Sequence, residues 1–146
     1  MTQWDITDKS ALKKTADEIL ENVTDRPSES AVVLALHGDL GAGKTTFVQT
    51  LAAELGIGET VTSPTFVIMK KYQTKNQRFT SLVHIDAYRL NEVDELRVLG
   101  FAEELSSKDT IICVEWAEKV ADLLPATTRH LRFSLIDADK RTLSLE

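Results

Sequence analysis

The sequence predicts an α/β fold in which a mixed parallel and antiparallel central sheet is flanked by helices, and three observations carry that prediction. Ala31-Val32-Val33-Leu34-Ala35-Leu36 is a short continuous apolar run rich in β-branched residues, the pattern of a strand buried on both faces. Directly after it, Gly38-Asp39-Leu40-Gly41-Ala42-Gly43-Lys44-Thr45 fits G-x-x-x-x-G-K-[ST] without a gap and leads into a helical pattern. Two further strand-like runs, residues 66–72 and 79–85, are joined through Thr74-Lys75-Asn76-Gln77-Arg78, a polar connection suited to an antiparallel hairpin.

The remaining elements follow in order along the chain. Leu12, Ala16, Ile19, Leu20 and Val23 recur at helical spacing and predict a helix over 9–24, broken by the segment 25–29 with its Pro27. After the glycine-rich loop, Phe47, Val48, Leu51 and Leu55 predict a helix over 46–55 with Gly56 as its C′ residue. A third helix is expected from 91 or 92 to about 105, with Val93, Leu96, Leu99 and Leu105 facing inward, followed by a buried strand over 110–115. Pro125 closes a short helix, and residues 129–136 and 142–145 form a final hairpin expected at the edge of the sheet.

At 146 residues the chain has the commonest size of one globular domain, so residues 1–146 are read as a single P-loop NTPase domain. Seventeen Lys plus Arg against 23 Asp plus Glu leave a net charge of -6, which argues against a protein that grips nucleic acid by itself. The longest apolar run, 31–36, is far short of the ~20 residues a membrane-spanning helix needs, and no basic and apolar leader opens the chain, so a cytoplasmic protein without membrane contact is expected. The single Cys113 has no disulfide partner within the chain, and neither it nor the scattered histidines show zinc-ligand spacing, so no structural zinc is expected.

The glycine-rich loop carries the strongest chemical signal. Its glycines let successive backbone N–H groups converge on one anion, and the helix that follows adds its positive N-terminal end, so a phosphate is the expected occupant of residues Gly38 to Thr46. Lys44 is read as the cation for the β- and γ-phosphates and the Thr45 hydroxyl as a Mg²⁺ ligand. Two carboxylates end apolar strands where open α/β sheets bind ligands: Asp86 in Val83-His84-Ile85-Asp86 and Glu115 in Ile112-Cys113-Val114-Glu115. Ser63-Pro64-Thr65 is read either as a switch-like loop or as a plain turn, and Arg89 as a phosphate or partner contact or a surface ion pair. Trp116 either packs beside the nucleotide or belongs to the core, and Lys70, Lys71, Lys75 and Arg78 form either a tRNA-facing patch or a solvated hairpin. The absence of Asn-Lys-x-Asp favours ATP over GTP.

Gly38 to Thr46, then Ser63-Pro64-Thr65-Phe66, then His84-Ile85-Asp86-Ala87-Tyr88-Arg89-Leu90, then Val114-Glu115-Trp116 with Glu118 together resemble the TsaE (YjeE) family. That resemblance implies a small Mg²⁺-dependent P-loop ATPase, slow alone, that supports formation of N6-threonylcarbamoyladenosine at position 37 of tRNA. It implies docking on a heterodimer of the TsaB and TsaD proteins, which the ATPase regulates or resets, with tRNA an indirect partner. By position, it implies that Lys44 holds phosphate, that Thr45 and Glu115 bind Mg²⁺, that Asp86 supports the metal or the attacking water, and that Thr65, Tyr88 and Arg89 belong to switch-like loops. Trp4 is retained as a stacking platform for the base. Two rival readings stay open: a nucleotide-dependent assembly protein with negligible turnover, and a small-molecule kinase, against which the scattered arginines count.

Overall fold

The computed structural model describes residues 2–25, 29–64, 67–92 and 94–146. The chain runs β1 (Thr2–Ile6), α1 (Lys9–Thr24), β2 (Val32–His37), α2 (Lys44–Glu54), β3 (Met69–Gln73), β4 (Ser81–Asp86), α3 (Asp94–Val98), α4 (Phe101–Leu105), β5 (Thr110–Glu115), a 3₁₀ helix (Ala117–Leu123), β6 (Arg129–Asp137) and β7 (Lys140–Leu145). One seven-stranded sheet takes them in the order β1-β7-β6-β2-β5-β4-β3. β6, β2, β5 and β4 are parallel to their neighbours, whereas β3 pairs antiparallel with β4, and β7 pairs antiparallel with both β6 and β1. The expected mixed sheet is therefore a parallel centre with antiparallel margins on both sides.

The alternation of the strands divides the core in two. Leu34 and Leu36 of β2 face one side, where Ala16 and Ile19 of α1 and Phe47, Val48 and Leu51 of α2 cover them. Val33 and Ala35 face the other, with Val83 and Ile85 of β4, Leu96, Phe101 and Val120. A strand buried on both faces must be apolar at every position, which is why its sequence lacks alternation. Burial also pushes the Cys113 thiol far up from its ordinary value, so at neutral pH it is a small apolar side chain rather than a nucleophile.

Two expectations need correction. The helix expected over 91–105 is two short helices, because Gly100 adopts φ 91 and cannot continue α3; Phe101 then takes the buried position while Leu99 is 41% exposed. Val93 lies outside the described residues. The final hairpin forms, but it is not the margin: β1 lies outside it, with Trp4 opposite Leu143 and Ile6 opposite Arg141. Only two positions of β1 carry large apolar side chains, so its sequence has little strand signal of its own. Asp8, whose carboxylate accepts from the Ala11 amide at 2.8 Å, caps α1 immediately after this strand. No helix among the described residues is long and apolar enough to cross a membrane.

Candidate functional site

The loop 38–43 emerges from the carboxyl end of β2 and enters α2 through Gly43, which caps the helix at φ 108. Gly38 has φ 148, and a Cβ there would stand 2.7 Å from the Phe133 carbonyl oxygen, so the start of the loop is packed directly on β6. The N–H groups at the start of α2 have no intrahelical acceptors, and no side chain caps them. This is an anion-facing concavity built from backbone alone.

Lys44 is 5% exposed. Its Nζ donates to the Gly38 carbonyl at 2.5 Å and sits 3.9 Å from the centroid of the Trp116 ring. The ammonium thus folds back over its own loop, held by a carbonyl on one side and an aromatic face on the other. Trp116 itself has φ 57 and packs in part against the second core. Tyr88 stands beside it, with ring centroids 5.1 Å apart.

Two strand ends bring the carboxylates together. β4 and β5 run parallel with Asp86 opposite Glu115, so both acids leave the sheet at its carboxyl edge, next to the strand that feeds the loop. Glu115 is 3% exposed and fully engaged: the Thr45 hydroxyl lies 2.9 and 3.0 Å from its two oxygens, and His84 Nε2 lies 2.6 Å from Oε2. The hydrogen-bond network assigns the proton to Nε2, which donates to the carboxylate; Nδ1 is buried without a partner among the described residues, which an acceptor nitrogen tolerates better than an N–H would. Asp86 accepts from Ser63 Oγ at 3.1 Å and from the Tyr88 amide at 3.0 Å. Lys44, Thr45, Glu115 and Asp86 are thus gathered at one end of the sheet. Thr65 lies outside the described residues. Arg89 is exposed and is not without a partner.

The donor set is one hydroxyl and two carboxylates, all hard oxygens, with no cluster of three His, Cys, Asp or Glu among the described residues. Such a set fits Mg²⁺, which takes one or two carboxylates from protein and completes its shell with water and phosphate oxygens.

From Lys44, Thr45 and Glu115 a cleft of about 420 Å³ extends away from the carboxylates. Its far part is walled by Ile6, Thr7, Asp8 and Lys9 at the β1–α1 junction, by Leu12, and by Phe133, Arg141, Thr142 and Leu143 of the last hairpin. Sequence reading missed this wall, since the two ends of the chain build it by pairing β1 with β7. Trp4 is not among the lining residues: its indole N–H donates to Glu18 of α1, on the core side of β1. In the basic stretch Lys71 lies 3.2 Å from Glu104 and Arg78 donates to the Lys108 carbonyl at 2.5 Å, while Lys70 and Lys75 are exposed.

A central parallel sheet, a glycine loop running from strand to helix and acids on the adjoining strand ends define a P-loop α/β protein. The family model described as "Threonylcarbamoyl adenosine biosynthesis protein TsaE" matches residues 6–143, and the chain belongs to that family. Similar chains include the "tRNA threonylcarbamoyladenosine biosynthesis protein TsaE" of Haemophilus influenzae, 30% identical over 145 residues that cover 99% of this chain and 88% of the relative. The Treponema pallidum protein of the same name is 35% identical over 84% of this chain and 87% of its own length. For the Bacillus subtilis one the figures are 39%, 77% and 67%. Among solved structures, Bacillus subtilis YdiB superposes with a TM-score of 0.73 at 29% identity, covering 99% of this chain and 83% of that one.

Proposed function

We propose that this chain binds and slowly hydrolyses Mg²⁺–ATP in support of tRNA N6-threonylcarbamoyladenosine formation, and that it acts by docking on a TsaB–TsaD heterodimer in the cytoplasm and regulating or resetting it. Membership of the TsaE family supports the place in tRNA modification. The observation that carries the nucleotide chemistry is the meeting of the Thr45 hydroxyl, at the first turn of α2, with the Glu115 carboxylate, at the end of β5, directly below the loop amides.

On this reading the amides of residues 38–44 bind the phosphates, and Lys44 exchanges the Gly38 carbonyl for a phosphate oxygen. Mg²⁺, held by Thr45 and Glu115 with Asp86 beside them, would neutralise charge on the β- and γ-phosphates. His84 keeps Glu115 turned toward Thr45 through its Nε2–H. Asp86, which accepts from Ser63 through Oδ2, would orient a water on the γ side. Phosphoryl transfer asks for positioning and charge rather than a covalent group from the protein, and these residues supply both.

Phosphate release from Mg²⁺–ATP by native protein and Lys44→Ala, each with and without a TsaB–TsaD heterodimer, tests the reading. Native protein should be slow alone and faster with the heterodimer, and the variant slower by more than about 100-fold in either case. Equal release by the two chains would remove the hydrolytic reading, and transfer to a metabolite would point to a kinase instead.

A further inference from the structure

We propose that Gln49 is a positioning residue for Asp86, acting from α2 through the short segment that leads from Val61 to Ser63. The inference rests on the hydrolytic reading above and extends it to a residue outside the cleft.

α2 buries Phe47, Val48, Leu51 and Ala52, and Gln49 lies off that face, exposed, so core packing does not dictate its identity. Its side chain nevertheless has a defined partner: Nε2 donates to the Val61 carbonyl at 2.9 Å. Residues 57–64 belong to no helix or strand. A hollow of about 210 Å³ lies between them and α2, lined by Ala52 and Ala53 of the helix and by Glu59, Thr60 and Val61 of the segment. A segment that lacks ladder hydrogen bonds and stands off its neighbour is held by few contacts, so each of them governs where it lies. Two meet at Val61: its side chain is buried in the first core, and its carbonyl takes the Gln49 amide.

Two residues further on, Ser63 Oγ donates to Asp86 Oδ2 at 3.1 Å, while Asp86 Oδ1 accepts from the Tyr88 amide at 3.0 Å. The path from helix to acid is therefore short. Gln49 fixes the backbone at Val61, that backbone carries Ser63, and the Ser63 hydroxyl sets the rotation of a carboxylate that is itself buried.

Gln49 also stands about one turn beyond Thr45 on the same helix. The hydroxyl that meets Glu115 and the amide that steers Ser63 are thus parts of one rigid element, which ties the placement of Asp86 to that of Thr45. An acid that orients water must be held to a fraction of an ångström, and its misplacement costs rate rather than affinity.

Steady-state phosphate release from Mg²⁺–ATP by native protein, Gln49→Glu and Gln49→Lys tests this, with a urea titration of each chain alongside. The glutamate keeps the shape of the side chain, but its carboxylate can only accept and so meets the Val61 carbonyl without a donor; the lysine can donate. Gln49→Glu should lower kcat by about three- to tenfold, the reach of one neutral hydrogen bond, with KM and the urea midpoint unchanged, and Gln49→Lys should recover most of the loss. Ser63→Ala should lower kcat too, and combining it with Gln49→Glu should cost no more than the larger single effect, because the two act along one path. Native kcat in Gln49→Glu, equal losses in the glutamate and lysine variants, or a change in KM alone overturns the assignment. So does a kcat loss that tracks a fall in the urea midpoint, or single effects that multiply in the double variant. If native protein itself releases no phosphate, the hydrolytic reading fails first and this one with it; if it does and the variants match it, this one fails alone.

Discussion

The two walls of the cleft are built on opposite principles. On the β4–β5 side, Glu115 and Asp86 are already satisfied from within, by Thr45, His84, Ser63 and the Tyr88 amide, so their oxygens are oriented before anything binds. On the β1–β7 side Ile6, Leu12, Phe133 and Leu143 stand among Thr7, Asp8, Lys9, Arg141 and Thr142, and the Arg141 Nε is buried without a partner among the described residues. Preset acids suit a metal, whose coordination geometry is strict; a wall that mixes apolar with polar side chains sets the shape of the cleft instead. The wall that holds the acids is assembled from two parallel strand ends, and the opposite wall from the two ends of the chain.

If the β1–β7 wall is core as well as cleft, its residues should matter first for stability. Leu143 is fully buried between Trp4 and Phe133, and Leu143→Ala should cost about 2–4 kcal/mol in a urea titration, by lost burial plus the cavity left behind. A loss below about 1 kcal/mol would mean that this wall is a flap on the sheet rather than part of its core.

The acid wall should answer through chemistry instead. A glutamine at 84 can present an N–H where His84 Nε2 now donates to Glu115, whereas an asparagine places its amide at the Nδ1 position. His84→Asn should therefore lower Mg²⁺-dependent phosphate release by about tenfold, with His84→Gln recovering most of it. Equal losses in the two variants would reduce His84 to a packing residue.

The smallest effect is expected between the walls, at the end of β2. His37 stacks on His130 with ring centroids 5.1 Å apart and Nε2 2.8 Å from Nδ1 of its neighbour. Burial, then Arg132 and His130, hold its imidazole below the ordinary value of 6.5. Because the unfolded chain takes up the proton more readily, this stability is present above about pH 6.5 and is lost as the pH falls through the lower folded value. The Tm of native protein should thus fall more steeply from pH 7 to pH 5 than that of His37→Gln; parallel curves would show that this pair carries no such linkage.

How much of this was legible differs element by element. α1, β2 and β5 declared themselves, because a long amphipathic period or a doubly buried strand leaves an unambiguous pattern over six or more residues. The third helix did not, since its apolar spacing continued through Gly100 while the backbone there turned left-handed. Thr65, read as a switch residue, falls outside the described residues, and Trp4 points to α1 rather than into the cleft.

The sequence by itself determined the glycine-rich loop, the strand that feeds it and the helix that follows, because that pattern is local: consecutive amides, one lysine and one hydroxyl lie within a single turn of chain. The acids could be nominated from strand ends, but only the register of β4 against β5 put Asp86 beside Glu115 and His84 beneath it. The β1–β7 wall of the cleft was decided by tertiary structure alone. Its residues are separated by almost the whole length of the chain, and β1 meets β7 through backbone pairing that no local pattern announces.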